Sequence, residues 1–205
     1  KIFLLGIISG FPWVLIGSSL SLWLKEEGLS RSTIGWAGAI FAVYAINYLW
    51  APLVDKFKIF WLTRNIGHRK SWIFLMQFLI GISLLIWSTI DPEKNLYFII
   101  LIGLLIAIFS STQDISIDAL RIEQIKSNES NIMAAAASMA VIGWWTGFKI
   151  GGLLSLSISD YFEKIGFNNY WQITFIFLFF ILLVLNFLLL TIEEVSKKVS
   201  KKSEL

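Results

Sequence analysis

Residues 96–123 read LYFIILIGLLIAIFSSTQDISIDALRIE, and the way this stretch passes from apolar to charged without a break decides the fold. Residues 96–109 carry no charge and suit the core of a bilayer. Residues 110–123 continue the same helix and place carboxylates inside it. Asp114 and Asp118 are four apart and Arg121 is three further on, so all three share one face at 3.6 residues per turn, with Gln113 beside them. A bare aspartate on the lipid side of a span costs a few kcal/mol or more, so this face is expected to look into a protein interior or a water-filled path. Asp118 and Arg121 read equally as an ordinary i,i+3 pair at a cytoplasmic helix end or as part of a gate. Gln113 and Asp114 lie deeper, and a functional role is expected for both.

Working outward, 57% of the residues are hydrophobic and 15% charged, too apolar a mix for a water-soluble domain of 205 residues. Six segments have the length needed to span a bilayer, roughly 2–24, 32–54, 71–90, 96–117, 132–159 and 171–192. The expected fold is therefore all-α, a polytopic six-helix transmembrane bundle over residues 1–192, followed by the start of a basic cytoplasmic loop over 193–205. Lys1, Lys56, Lys58, Arg64, Arg69, Lys70, Arg121, Lys126, Lys197, Lys198, Lys201 and Lys202 fall on one side of the implied membrane. Only Lys25, Arg31, Lys94 and Lys164 fall on the other, so both termini are expected in the cytoplasm. No nucleic-acid patch is implied. The absence of cysteine removes disulfide and thiolate chemistry, and the single histidine, His68, cannot by itself build a histidine metal site, so no metal or other cofactor is expected. His68 itself is read as exposed. The chain starts at Lys1 and runs directly into apolar sequence, which suggests a piece of a longer protein.

The remaining polar features sort by helix. The first span carries Gly6, Gly10, Gly17 and Ser21 on one face, suited to close helix packing or to lining a cavity, with Pro12 set to kink it. In the second span Tyr44 and Asn47 share a face that could look into a cavity, although a tyrosine near a membrane surface also serves as an anchor. The loop 55–70 reads equally as a solvated charge run or as a clamp in which Asp55, with Arg69 and Lys70, holds two helix ends in one conformation and releases them in another. The fifth span has a ridge of small residues, Gly143, Gly147, Gly151, Ser155 and Ser159, at four-residue spacing. Lys149 lies off that ridge near mid-span, either snorkelling or facing a polar cavity or anionic partner. Counting along the helices places it too far from Asp114 for a direct salt bridge. The sixth span is almost pure Phe, Leu and Ile and reads as lipid-facing.

Several stretches together resemble the AmpG-like muropeptide permeases of the major facilitator superfamily and the related acetyl-CoA transporters. They are GFPWVLIGSSLSLWL at 10–24, TIGW at 33–36, LWAPLVDK at 49–56, GHRKSW at 67–72, STQDISIDALRIE at 111–123 and GFKIG at 147–151. The string Q-D-x-x-x-D-A-x-R-I-E is the specific one. The resemblance implies a twelve-helix, two-bundle carrier with this chain as the N-terminal bundle and a missing C-terminal six-helix half as its partner. It also implies proton-driven uptake of an anionic sugar-peptide across a bacterial inner membrane, hence a transporter and not an enzyme. On this reading Asp114 couples protons. Gln113, Lys149, Asn47 and Tyr44 would bind substrate, and Asp55, Arg69, Asp118 and Arg121 would gate. Lys149 stands where the family usually has Arg, Asn47 where many members have Lys, and the 55–67 loop is longer than usual. An acetyl-CoA or other anion carrier of the same superfamily is the nearest alternative. An intramembrane prenyltransferase fits worse, because Arg121 stands where a third carboxylate would be wanted and no second Asp-rich helix exists. A non-transporting six-helix scaffold would leave Asp114 and Lys149 unexplained.

Overall fold

A computed structural model describes residues 1–92, 94–125 and 130–194. The expected loop residues 195–205 and the basic residue Lys126 lie outside the described residues. Six helices are long and apolar enough to cross a membrane: α1 (Ile2–Glu26), α2 (Arg31–Leu49), α3 (His68–Trp87), α4 (Leu96–Gln124), α5 (Ser130–Lys164) and α6 (Tyr170–Leu190). Two short helices, Ala51–Lys56 and Phe60–Ile66, occupy the α2–α3 connection.

Two departures from the expected spans have local causes. Residues 32–54 do not form one helix. α2 tightens into 3₁₀ turns at Gly38–Phe41 and Asn47–Leu49, and a separate helix restarts at Ala51 with Pro52 in its first turn. Proline favours that position because its missing N–H would have no helical partner there. α1 carries Pro12 in its interior and then widens into a π turn at Leu15–Ser19. Proline removes one helical hydrogen bond and crowds the preceding turn, and the widened turn follows directly.

The small-residue ridge of α5 is buried along its length, from Gly143 through Gly147 and Gly151 to Ser155 and Ser159. It packs on α1. A Cβ at Gly147 would lie 2.9 Å from Ile7 Cα, and one at Gly6 would lie 2.9 Å from Gly143 Cα, so the two backbones touch where a side chain would hold them apart. Ser19 and Ser155 close the contact with a 2.8 Å hydrogen bond between hydroxyls. On the other side, α4 packs on α3 and α3 on α6. The end of the bundle opposite the termini is held by buried aromatics: Phe175 lies 4.9 Å from Trp23 and 5.3 Å from Trp87, centroid to centroid. Trp171 Nε1 donates to Glu26 Oε2 at 2.6 Å in the same region. α6 is not lipid-facing throughout. Trp171, Phe175, Leu178, Leu182 and Leu189 are buried, while Phe177, Phe180, Val184 and Phe187 are exposed. α2 and α5 keep most of their surface exposed, which leaves α1, α3 and α4 as the inner helices.

Candidate functional site

Asp114 sits on α4 about 27 Å from the helix start and about 15 Å from its end. Ser9 of α1 donates its hydroxyl to Asp114 Oδ1 at 2.6 Å. The carboxylate opens into a cavity of about 220 Å³ lined by Gly6, Ser9, Asp114, Ile117, Asp118, Arg121, Ala140, Val141 and Trp144. α1, α4 and α5 all contribute walls. Arg121 lines this cavity too, but its guanidinium pairs with Asp118 at 3.1 Å, and no cation pairs with Asp114 among the described residues. A carboxyl placed this way can change its protonation state without breaking a salt bridge.

Above Asp114, toward the end opposite the termini, α1 and α2 meet through tilted aromatic rings. Trp13 lies 4.4 Å from Tyr44 and 5.0 Å from Phe41, and Trp144 of α5 meets it edge-on at 5.5 Å. The Tyr44 hydroxyl faces Ser110 and Asp114. Trp13 Nε1, Tyr44 Oη and Ser110 Oγ are buried, and none has a hydrogen-bond partner of bonding geometry. Trp13 Nε1 approaches Asp114 and Tyr44 Oη approaches Ser110 just outside bonding geometry, so these buried polar groups lie within reach of one another around a single carboxylate.

Gln113 is fully buried and does not line the cavity. Its Nε2 donates to the Ile8 carbonyl at 2.9 Å. Pro12 stands four residues after Ile8 and has no N–H, so the glutamine supplies the hydrogen bond that the kinked helix cannot make for itself. Gln113 Oε1 has no partner. Asn47 opens a 3₁₀ turn of α2 and is half-buried, and its backbone carbonyl accepts from Trp50 N at 3.2 Å. Lys149 is exposed on α5. Its ammonium lies 5.8 Å from the Trp145 ring centroid, in a separate groove lined by Val141, Ile142, Trp145 and Thr146. The structure thus brings Asp114, Asp118 and Arg121 to one cavity with Tyr44 beside it, and keeps Lys149 apart.

A second polar cluster closes the end of the bundle nearest the termini. Arg69 pairs with Asp55, and its Nε donates to Glu123 at 3.2 Å, so the α2–α3 connection is tied to the end of α4. Glu194, just past α6, accepts from the backbone N–H groups of His68 at 2.8 Å, Arg69 at 3.4 Å and Lys70 at 3.2 Å. Lys70 reaches the opposite way: its ammonium donates to the carbonyls of Leu190 and Ile192 at 3.1 and 2.6 Å. An anion therefore caps the N-terminus of α3 and a cation caps the C-terminus of α6, each favoured by the helix dipole. Gly67, with φ +105°, lets the chain turn into α3, and a Cβ there would collide with the Glu194 carboxylate. His68 is half-buried, with both ring nitrogens enclosed, because its backbone is drawn under Glu194.

The sequence over residues 2–205 matches the Major Facilitator Superfamily. The chain belongs to that superfamily. It is 37% identical over 194 residues to a Rickettsia conorii protein named "Putative transporter AmpG 4", covering 95% of this chain and 45% of the relative. AmpG 1 of Rickettsia felis is 35% identical, over 89% of this chain and 41% of its own length. AmpG 3 of Rickettsia prowazekii is 32% identical over 98% of the chain and 45% of its own length. The chain spans less than half the length of these relatives.

Within this major-facilitator bundle, sequence reasoning singled out Asp55 and Arg69, with Lys70 beside them, and passed over Glu123 and Glu194. Glu123 was legible, since it closes the same fourth-helix string. Glu194 had no local signal, because its partners lie more than 120 residues away. The proline at position 12 was a signal of another kind: an interior proline leaves a free carbonyl, and a buried glutamine is a natural donor to it.

Proposed function

We propose that the chain forms one half of a secondary active transporter that brings anhydro-muropeptides into the cell together with protons. The membrane is a bacterial inner membrane, with both termini in the cytoplasm. A second six-helix bundle completes the substrate site, because two-bundle carriers bind their substrates between the halves. The observation that carries the reading is Asp114, a carboxyl within a spanning helix that receives a serine hydroxyl, has no paired cation among the described residues and opens to a cavity shared with Asp118 and Arg121. The relatives are named as putative transporters, which supports transport, and the choice of solute rests on the resemblance of the quoted sequence stretches to the AmpG-like muropeptide permeases. Asp114 takes up and releases the proton. Tyr44 and Asn47 of α2 act on the substrate, and Gln113, first expected to do the same, holds the kinked part of α1 against α4. Lys149 attracts an anionic group of the substrate, and Asp55, Arg69 and Glu123 hold the cytoplasmic gate.

The test is uptake of a labelled anhydro-muropeptide by vesicles containing the full-length protein, with and without an imposed proton gradient. Gradient-dependent accumulation is expected. Accumulation of acetyl-CoA in its place would move the protein to the other branch that its sequence resembles. Uptake of neither would remove both solute assignments.

A further inference from the structure

Basic residues are scarce at the end of the bundle opposite the termini, and two of the four there are neutralised locally. Lys94 pairs with Asp91 at 2.7 Å and Lys164 with Asp160 at 2.6 Å. Lys25 and Arg31 differ. Neither has a carboxylate or hydrogen-bond partner among the described residues, although Glu26 and Glu27 follow Lys25 in sequence. Those carboxylates are turned elsewhere: Glu26 accepts from Trp171 Nε1 and Tyr170 Oη at 2.6 and 3.0 Å, and Glu27 accepts from Trp23 Nε1 at 3.2 Å. Both free cations line one cavity of about 410 Å³ between the ends of α1 and α2, with Ser18, Ser21 and Gly17 on its inner wall. A Cβ at Gly17 would touch Phe41 at 3.4 Å, and Phe41 packs at a tilt against Trp13, so the floor of this cavity abuts the aromatic group above Asp114.

We propose that Lys25 and Arg31, with the hydroxyls of Ser18 and Ser21, form a vestibule that receives the carboxylate or phosphate group of a soluble anion before it moves deeper between α1 and α2. Lys25 and Arg31 are both exposed where they line this open cavity, so their potentials add at its mouth and remain subject to screening by salt. Arginine offers a planar fork of donors and lysine a mobile point charge, and serine hydroxyls complete the coordination of an oxyanion. The proposal deepens the transport reading by naming where an anionic solute is first held, and its test does not require transport.

The 205 residues contain no cysteine, so a thiol introduced as Ser21→Cys reports the local potential, with the unmodified protein as background. The full-length protein in phosphatidylcholine vesicles is labelled with a sulfonate-bearing or a trimethylammonium-bearing methanethiosulfonate, each rate being normalised to a free thiol. At about 10 mM salt the anionic reagent should react about tenfold faster, and the preference should shrink several-fold near 1 M salt. Lys25→Gln with Arg31→Gln, both at exposed positions, should bring the ratio down to that at Asn168→Cys, an exposed control at the same end. Millimolar succinate or inorganic phosphate should slow the labelling, and which of them does so names the oxyanion class. Equal rates for the two reagents, a preference that survives the double substitution, or no protection by either anion would overturn the proposal. Protection seen only when phosphatidylglycerol is added to the vesicles would assign the two cations to a lipid headgroup and overturn it equally. Charge preference without any solute uptake would refute the transport reading and leave the vestibule standing. Uptake without charge preference would do the reverse.

Discussion

Replacing Gln113 by Leu keeps the side-chain volume nearly constant and removes the amide that donates to the Ile8 carbonyl at 2.9 Å. Pro12 cannot supply a substitute donor, so the carbonyl stays buried and unpaired, at a cost of about 1–3 kcal/mol. Pro12→Ala restores an N–H four residues after Ile8 and should return the helix to its ordinary ladder. The two substitutions are therefore coupled. Gln113→Leu should destabilise strongly in the native background and only weakly when Pro12→Ala is present, giving an interaction of about 1–2 kcal/mol in a double-mutant cycle. The measurement is unfolding of the purified protein on titration of a denaturing detergent into mild micelles, for the native protein, both single variants and the double variant. Free energies that add within about 0.5 kcal/mol would refute the idea that this glutamine repairs the proline break.

Other outcomes follow from the same geometry. Gly147→Ala should cost about 1–3 kcal/mol in that assay, because the methyl meets the Ile7 backbone, whereas Gly152→Ala, with nothing within 4 Å, should be neutral or stabilising by up to about 1 kcal/mol. Glu194→Ala should raise amide hydrogen exchange at residues 68–70 by roughly tenfold or more, since three N–H groups lose one carboxylate acceptor, and unchanged protection would show that water replaces it. If Lys149 attracts an anionic solute, Lys149→Met should raise the apparent KM for uptake several-fold and Lys149→Arg should not, in a well-folded protein. Reporter fusions after Asn95 and after Asn131 should give opposite sidedness, and equal signals would contradict the placement of the termini in the cytoplasm.

Most of the bundle was legible because it depends on composition and period. The length of apolar runs gave six spans, and the four-residue repeat of Gly143, Gly147 and Gly151 gave the face that meets α1. Asp114 stood out because a carboxylate in an apolar run is costly wherever it points inward or outward. What stayed hidden depends on which helices meet. The breaks in α2 at Gly38–Phe41 and Asn47–Leu49 follow no local breaker of the strength of a mid-helix proline, although Gly38 weakens the helix there. Glu194 looks like the start of a polar tail until α6 is laid beside α3, when it becomes one of the few buried charges, 4% exposed. Gln113 and Asp114 are neighbours in sequence and read as one functional pair. On a helix they point about 100° apart, and the structure sends one against α1 and the other into a cavity.

The assignment of Asp114 is tested most directly by Asp114→Asn in the full-length protein reconstituted into vesicles. The amide keeps the shape and can still accept the Ser9 hydroxyl hydrogen, but it cannot carry a proton through a transport cycle. Gradient-driven accumulation of labelled muropeptide should fall to background, while exchange of internal for external substrate without a gradient persists. Full proton-driven accumulation by this variant would contradict the assignment, and loss of exchange together with substrate binding would make Asp114 a substrate ligand instead.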